Sequence, residues 1–299
     1  MTETGKLFVL EASGEGRLFS INPDGTDKTI LVAGCPVPDG IAVDVEAGHI
    51  YWTNMGVPSK NDGSIERVDL DGSNRTTIVP PSGTYTPKQL HFDGVGHKLY
   101  WSDREGMRVM RCNLDGSGLE TLVQTGEGDH DRQDETNWCV GIAVDHIGEH
   151  LYWTQKGPSD AGLGRLLRAG LDIPKGETPA ARSDVEVLFK DLPEPIDLEI
   201  DRTSRTLYWT DRGDAPHGNT VNRAELDTIG ASDPHIVVTH LMEAIGIALD
   251  PRHGRMFVSD LGGNIWTAGL DGAGHRPVRA LQGNLTGIAY AELSEGDPA

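Results

Sequence analysis

Cysteine is nearly absent: the 299 residues hold three, Cys35, Cys112 and Cys139. An odd and small number excludes a disulfide framework and fits a reducing compartment. Long apolar runs are missing as well; none approaches the ~20 residues needed to span a bilayer. The opening Met1-Thr2-Glu3-Thr4-Gly5-Lys6 lacks a basic segment followed by an apolar one, so no secretory leader is read there and a cytoplasmic location is expected. Without export, the Asn-x-Ser/Thr matches at Asn74 and Asn284 carry no meaning. Positive charge is scarce: 26 Lys and Arg stand against 46 Asp and Glu, a formal net charge of −20. Such a field repels phosphate backbones and anionic lipid, so neither nucleic acid nor a membrane surface is expected as a partner. The simplest role for the acidity is solubility. No Walker pattern and no strand-to-helix glycine fingerprint occurs, which leaves a nucleotide site unsupported. No Ser-His-Asp grouping can be singled out either, because triads are defined by geometry and not by chain order.

Glycine and proline are plentiful, with 38 and 17 copies spread along the chain as turn punctuation. What they punctuate is a repeat. Aromatic-Trp-Ser/Thr-acid or amide recurs as Tyr51-Trp52-Thr53-Asn54, Tyr100-Trp101-Ser102-Asp103, Tyr152-Trp153-Thr154-Gln155 and Tyr208-Trp209-Thr210-Asp211. Degenerate copies are Phe8-Val9-Leu10-Glu11 and Phe257-Val258-Ser259-Asp260. Six copies at this spacing match the length of a four-stranded blade. Upstream of each lies a Gly-Ile-Ala-Val-Asp strand or a variant: 40–44, 89–93, 141–145, 197–201, 246–250 and 287–290. Downstream come segments ending in Asp, four of them in Asp-Gly, where glycine supplies the positive φ of a hairpin turn. Labelling the strands A to D, the chain begins at a B strand (6–11) and ends at an A strand (286–291), followed by a tail at 292–299. One blade must therefore be assembled from both ends, which removes exposed edges.

These residues resemble the YWTD propellers of the low-density lipoprotein receptor family over nearly the whole chain. The resemblance implies an all-β fold: one six-bladed β-propeller of four-stranded antiparallel blades spanning 1–299. It implies packing between blades for Trp52, Trp101, Trp153 and Trp209. It assigns the tying of strand to strand to Glu11, Asn54, Asp103, Gln155, Asp211 and Asp260, with Asn54 and Gln155 departing from Asp. The family's receptors are exported and carry cysteine-rich modules, neither of which is read here, so capture of ligands on a cell surface does not transfer. A free-standing propeller is closer to those working as enzymes or small-molecule binders, an analogy of fold alone.

The A–B turns are minimal, as in Val45-Glu-Ala-Gly48 and Arg202-Thr-Ser-Arg205. Long connections at 55–63, 80–87, 125–139, 155–164 and 212–219 mark the B–C/D–A face as the working face. The C–D stretch 173–184 is an exception on the opposite face, read as a passive insertion. Strand A uses Gly and Ala at its first and third positions in four blades, where the blades converge. Two blades break this rule with Gln89 and His91, and with Asp197 and Glu199; alternate residues share a side of the strand. Polar groups in such positions cost desolvation unless paired or wetted, and broken local rules are where function is expected. A buried network lining the channel is the alternative. Around the channel mouth should lie Asp39, Lys88, Glu194, Glu243 and Trp138.

The expected function is a small-molecule enzyme or binder with its pocket at the channel mouth. Its chemistry would be non-redox and acid–base: lactone or ester hydrolysis, cyclisation, elimination or isomerisation. Glu199, Asp197 and His91 would act as acid or base; Gln89, Lys88, Asp39, Glu194, Trp138 and Glu243 would contact substrate. The acidic ring could hold a divalent cation, Ca2+ or Mg2+, through oxygen ligands. The run Asp129-His130-Asp131 reads as a solvated loop and Cys139 as buried filler. A non-catalytic protein-interaction platform on the same face is the alternative function.

Overall fold

The computed structural model describes residues 5–58, 60–230 and 233–293. The opening residues 1–4 and the expected tail from 294 onward lie outside them. The strand pattern forms six four-stranded antiparallel sheets, the blades of a six-bladed β-propeller. The first contains β1 (Gly5–Glu11), β2 (Arg17–Ile21) and β3 (Thr29–Ala33), and the second β4 (Pro38–Asp44), β5 (His49–Asn54), β6 (Gly63–Asp69) and β7 (Thr76–Thr84). The third holds β8 (Pro87–Asp93), β9 (Lys98–Asp103), β10 (Arg108–Asn113) and β11 (Glu120–Gln124). The fourth holds β12 (Cys139–Asp145), β13 (His150–Gln155), β14 (Gly164–Gly170) and β15 (Glu186–Leu192). The fifth is β16 (Pro195–Asp201), β17 (Thr206–Asp211), β18 (Thr220–Glu225) and β19 (His235–Val238). The sixth is β20 (Ala244–Asp250), β21 (Arg255–Asp260), β22 (Ile265–Gly269) and β23 (Arg276–Arg279), after which β24 (Leu285–Glu292) returns to the first sheet. There Gly5 lies opposite Glu292, Leu7 opposite Tyr290 and Val9 opposite Ile288. The blade is closed by strands from both ends of the chain, as the strand inventory requires.

The chain divides into two compact units, Met1–Pro87 with Ile245–Ala299, and Lys88–Ala244. Each has its core between blades. In the second unit Tyr100, Val109 and Leu122 pack with Cys139, Ile142 and Trp153 of the next blade. Across the other face of that blade, Ala143, Tyr152 and Phe189 meet Leu198, Leu207 and Trp209. Neighbours along a strand point to opposite faces, so the Tyr and Trp of one motif serve two different layers. The Phe189 and Trp209 rings stack at 5.5 Å.

The Ser/Thr of the motif joins the blades. Pairing of β12 with β13 slips between Cys139 and Ile142, and the Gly141 N–H donates to Thr154 Oγ1 at 2.7 Å. The same hydroxyl donates to the Ile196 carbonyl of the next blade at 2.8 Å. Ser102 does likewise to the Gly141 carbonyl at 2.8 Å, and Ser259 to that of Thr286. In the blade where Leu10 replaces the hydroxyl, Thr286 of β24 supplies it, donating to the Pro38 carbonyl at 2.8 Å. Clipped this tightly, the inner strands leave no room for a side chain at the first A position of the fourth blade or of β24. A Cβ on Gly141 would stand 2.1 Å from the Ile196 oxygen, and one on Gly287 2.3 Å from that of Asp39.

Two connections differ from expectation. The stretch 80–87 is mostly strand: β7 continues through Pro80 and Pro81 to bring Thr84 opposite Gly63. It is an edge strand, where a missing N–H breaks no ladder. The insertion 173–184 is not passive. The wholly buried Arg182 side chain donates to the carbonyls of Leu122, Gly170 and Asp172 and pairs with Asp184 at 2.6 Å. With Gln124 N–H donating to the Pro179 carbonyl at 2.9 Å, the insertion clamps the fourth blade to the third.

Gly141→Ala should cost about 1–3 kcal/mol by overpacking the seam, measured by denaturant unfolding. A variant as stable as the parent would refute the seam's tightness.

Candidate functional site

The nine expected site residues fall into three environments. Gln89 and Asp197, at the first A position, are buried in the second unit. The Asp197 N–H donates to Thr210 Oγ1 at 3.1 Å, and its carboxylate accepts from the Leu198 N–H at 2.9 Å. They occupy the seam filled elsewhere by glycine.

The second environment is the B–C/D–A end. Glu194 is buried, and its Oε1 accepts from Lys156 Nζ at 2.9 Å and Arg212 Nε at 2.8 Å. Lys156 also reaches Glu135 at 3.1 Å. Two cations thus neutralise Glu194 from within the protein. Trp138, half-buried, donates its indole N–H to the Arg132 carbonyl at 3.0 Å, with Arg104 at 4.9 Å and Lys156 at 5.5 Å from its ring centre. This shelf is built by the 125–139 insertion, which folds into helix α1 (Gly128–Arg132) and a 3-10 turn at Glu135–Asn137. Lys88 is buried and Glu243 exposed in the same unit; Asp39 is buried in the other. Among the described residues no three His, Cys, Asp or Glu side chains gather into a metal-binding group. His130 is fully exposed and Asp129 pairs with Arg132. Cys139 is buried, and burial pushes its thiol up to about 12, far from a reactive thiolate. Cys35 and Cys112 are likewise buried and free.

His91 and Glu199 form the third environment. At the third A position, where Ala143 is fully buried, both keep partial exposure. Burial pushes the Glu199 carboxyl up to about 7, against the Arg202 charge and the Ile200 N–H. Burial pushes His91 down to about 4, reinforced by Arg202 and His146 and opposed by Asp93. Its Nε2 is buried without a hydrogen-bond partner. The charges acting on His91 all come from the A–B end of the inner strands. Asp93 closes β8, His146 follows β12 and Arg202 follows β16. The pair therefore belongs electrostatically to the A–B turns rather than to the B–C/D–A shelf. His146 Nε2 lies 2.6 Å from Asp93 Oδ2. Burial opposes the Asp93 charge, but this bond with the Gly96 and Val95 N–H groups outweighs it and holds the carboxyl below its usual range.

Arg202 and His146 were not singled out from the sequence. Extending the repeat by one residue past the Asp that ends strand A gives Val45, Gly94, His146, Arg202 and Pro251; two charged or titratable residues in that column are the overlooked signal. Elsewhere, a hollow of about 430 Å3 on the fifth blade, lined by Thr206, Arg223, Glu225, Thr228, Asp233 and His235, contains none of the expected residues.

The fold and motif define a YWTD-type propeller with a polar cluster on its inner strands. The chain is 44% identical over 304 residues to low-density lipoprotein receptor-related protein 1 of Pyricularia oryzae, covering 95% of this chain and 97% of that protein. It belongs to that family. It is equally 44% identical to a 3-hydroxyacyl-CoA dehydrogenase-like protein of Cochliobolus heterostrophus, of which it spans 64%. The Drosophila protein cueball matches at 34% over 122 residues, 40% of this chain and 17% of cueball. No protein-family model matches. A chain in the nidogen–laminin complex superposes with a TM-score of 0.75 at 18% identity, covering 97% of this chain and 100% of that one. TolB from Acinetobacter baumannii gives 0.69 at 13%, covering 96% and 66%. At those identities the likeness shows the fold alone.

The raised Glu199 carboxyl has a stability signature. Folded Glu199 holds its proton up to about 7 and the unfolded chain releases it near 4.5. Its contribution is fully present below pH 4.5 and lost as pH rises through 7. The melting temperature of Glu199→Gln minus that of the parent should therefore climb from pH 4.5 to 8. A flat difference would place the carboxyl at its ordinary value. Glu194→Ala, by contrast, should cost about 1.5–3 kcal/mol by removing the buried acceptor shared by Lys156 and Arg212, measured by denaturant unfolding.

Proposed function

We propose that the chain is an intracellular small-molecule enzyme or binder whose site lies at the inner strands of residues 88–244, with non-redox acid–base chemistry centred on Glu199. The observation carrying this reading is the partly exposed pair Glu199 and His91 in a position the repeat otherwise gives to alanine. A carboxyl titrating at about 7 both gives and takes protons near neutrality, the condition that favours general acid–base catalysis. His91 stays neutral there, and its Nε2 is buried without a hydrogen-bond partner among the described residues, a cost that a ligand reaching it between the inner strands would relieve. Asp197, deeper in the seam, supports the strand carrying Glu199 and transfers no proton. Hydrolysis of a lactone or ester suits this set: Glu199 as base deprotonates the attacking water, then returns the proton to the leaving alkoxide.

One relative's name refers to a dehydrogenase-like protein, but this chain spans only 64% of it. The described residues hold no strand–helix–strand unit of the kind that binds dinucleotides, so the reading stays with non-redox chemistry. A protein-interaction platform is the second reading. The half-buried Trp138 between Arg104 and Lys156 has the composition of an interface anchor, and one relative is named as receptor-related.

A panel of lactones and esters, followed by turnover and thermal shift, tests the first reading. Glu199→Gln should lower turnover by ~10²–10⁴-fold and His91→Ala should weaken binding, with no loss of melting temperature in either. Loss of several degrees in both variants would make the pair structural, because truncating a paired buried group costs stability. Trp138→Ala abolishing capture of a protein partner, with Glu199→Gln silent, would favour the second.

A further inference from the structure

The turn after β16 carries two arginines with opposite circumstances. Arg205 is fully engaged: Nη1 and Nη2 reach Asp145 at 3.2 and 3.0 Å, and Nε reaches Asp227 at 3.0 Å. Arg202, three residues earlier and exposed, makes no ion pair among the described residues, although 46 acidic side chains are present. It follows the strand that carries Glu199, on a turn that the Arg205–Asp145 bonds tie to the turn carrying His146, and its charge acts on both Glu199 and His91. His146 stands on the neighbouring turn with Nε2 engaged by Asp93 at 2.6 Å. That bond fixes the ring, and Nδ1 makes no hydrogen bond among the described residues. The turn 94–97 closes over this pair only because residue 96 is glycine: a Cβ there would stand 2.4 Å from Asp93 Oδ2. An engaged carboxylate, an oriented imidazole and an uncommitted guanidinium therefore share the A–B end of three adjacent inner strands.

From this juxtaposition we infer that the ligand of the site carries a carboxylate, held by Arg202 with His146 beside it, so that the rest of the molecule extends along the inner strands toward His91 and Glu199. This rests on the small-molecule reading above and narrows it to a substrate class. A planar guanidinium matches a carboxylate with two parallel N–H···O bonds. Among the described residues, the protein's own carboxylates supply no such partner to Arg202. The net charge of −20 disfavours anions over most of the surface, so an anion-selective spot has to be local. In a lactone-hydrolysing version the hydroxy-acid product carries this group, and its retention at Arg202 would appear as product inhibition.

The test uses matched pairs of one skeleton: hexanoate, benzoate and succinate against hexanamide, benzamide and succinamide. Binding is read by calorimetry on the full chain and on Arg202→Ala and His146→Gln. Arg202 is exposed, and glutamine retains a donor toward Asp93, so both variants keep the fold; melting curves check this. The carboxylates should bind the parent and lose about tenfold to a hundredfold in affinity with Arg202→Ala, the range for a hydrogen bond to a charged group. The amides should show no such dependence, and His146→Gln should give a smaller loss. If neutral lactones or amides bind parent and Arg202→Ala equally and carboxylates do not bind, the carboxylate assignment falls and the small-molecule reading stands. If neither carboxylates nor the neutral lactone and ester panel bind the parent, both fall.

Discussion

A single hydroxyl per blade sets the spacing of the inner strands. Thr154 shows the arrangement in full: it accepts from the N–H freed by a bulge in its own blade and donates to a carbonyl of the next. One side chain thereby satisfies two buried backbone groups that no ladder reaches, which is the accounting a buried backbone demands. Where the hydroxyl is missing, at Leu10, Thr286 supplies it from the neighbouring strand. Substituting the donor and keeping the bond indicates that the bond, not the motif letter, is the constraint.

That spacing divides the inner strand by position. At Gly141 and Gly287 the first A position faces a carbonyl too closely for a Cβ, whereas in the third and fifth blades Gln89 and Asp197 occupy it, buried in the seam. The third position lies one pleat further on. Ala42, Ala143 and Ala248 are buried there, Ala289 is partly exposed, and the large polar His91 and Glu199 emerge part-way to solvent. The same residues that keep the blades together therefore decide which broken rule is structural and which is free to meet a ligand. At the other end, Glu194 is one of the acids expected at the mouth, yet Lys156 and Arg212 absorb its charge.

The fold was fully legible because its cause is repeated six times. Aromatic-Trp-Ser/Thr motifs, Gly-Ile-Ala-Val-Asp strands and Asp-Gly turns each report one contact, and their phase reports closure by β1 and β24. The site was legible in part. His91 and Glu199 stood out as departures from Gly and Ala, but the repeat gives only the alternation of a strand, not which alternate positions the next blade covers. The end of the strand at which the pair acts was likewise hidden, because it depends on turn residues whose charges converge from three blades. The clamp by Arg182 escaped notice for a similar reason: most of its partners, Leu122 and Gly170 among them, are carbonyls, and carbonyls have no sequence signature.

Membership of the family of low-density lipoprotein receptor-related proteins fixes the scaffold and leaves the chemistry to the site. The account turns on Glu199 being a carboxyl that titrates near neutrality beside an uncommitted Arg202. The most direct test is a carbon-13 NMR titration of the glutamate carboxyls, with the Glu199 resonance assigned by its loss in Glu199→Gln. A midpoint at about 7 is the predicted result; a midpoint at the ordinary 4.5 would contradict the account.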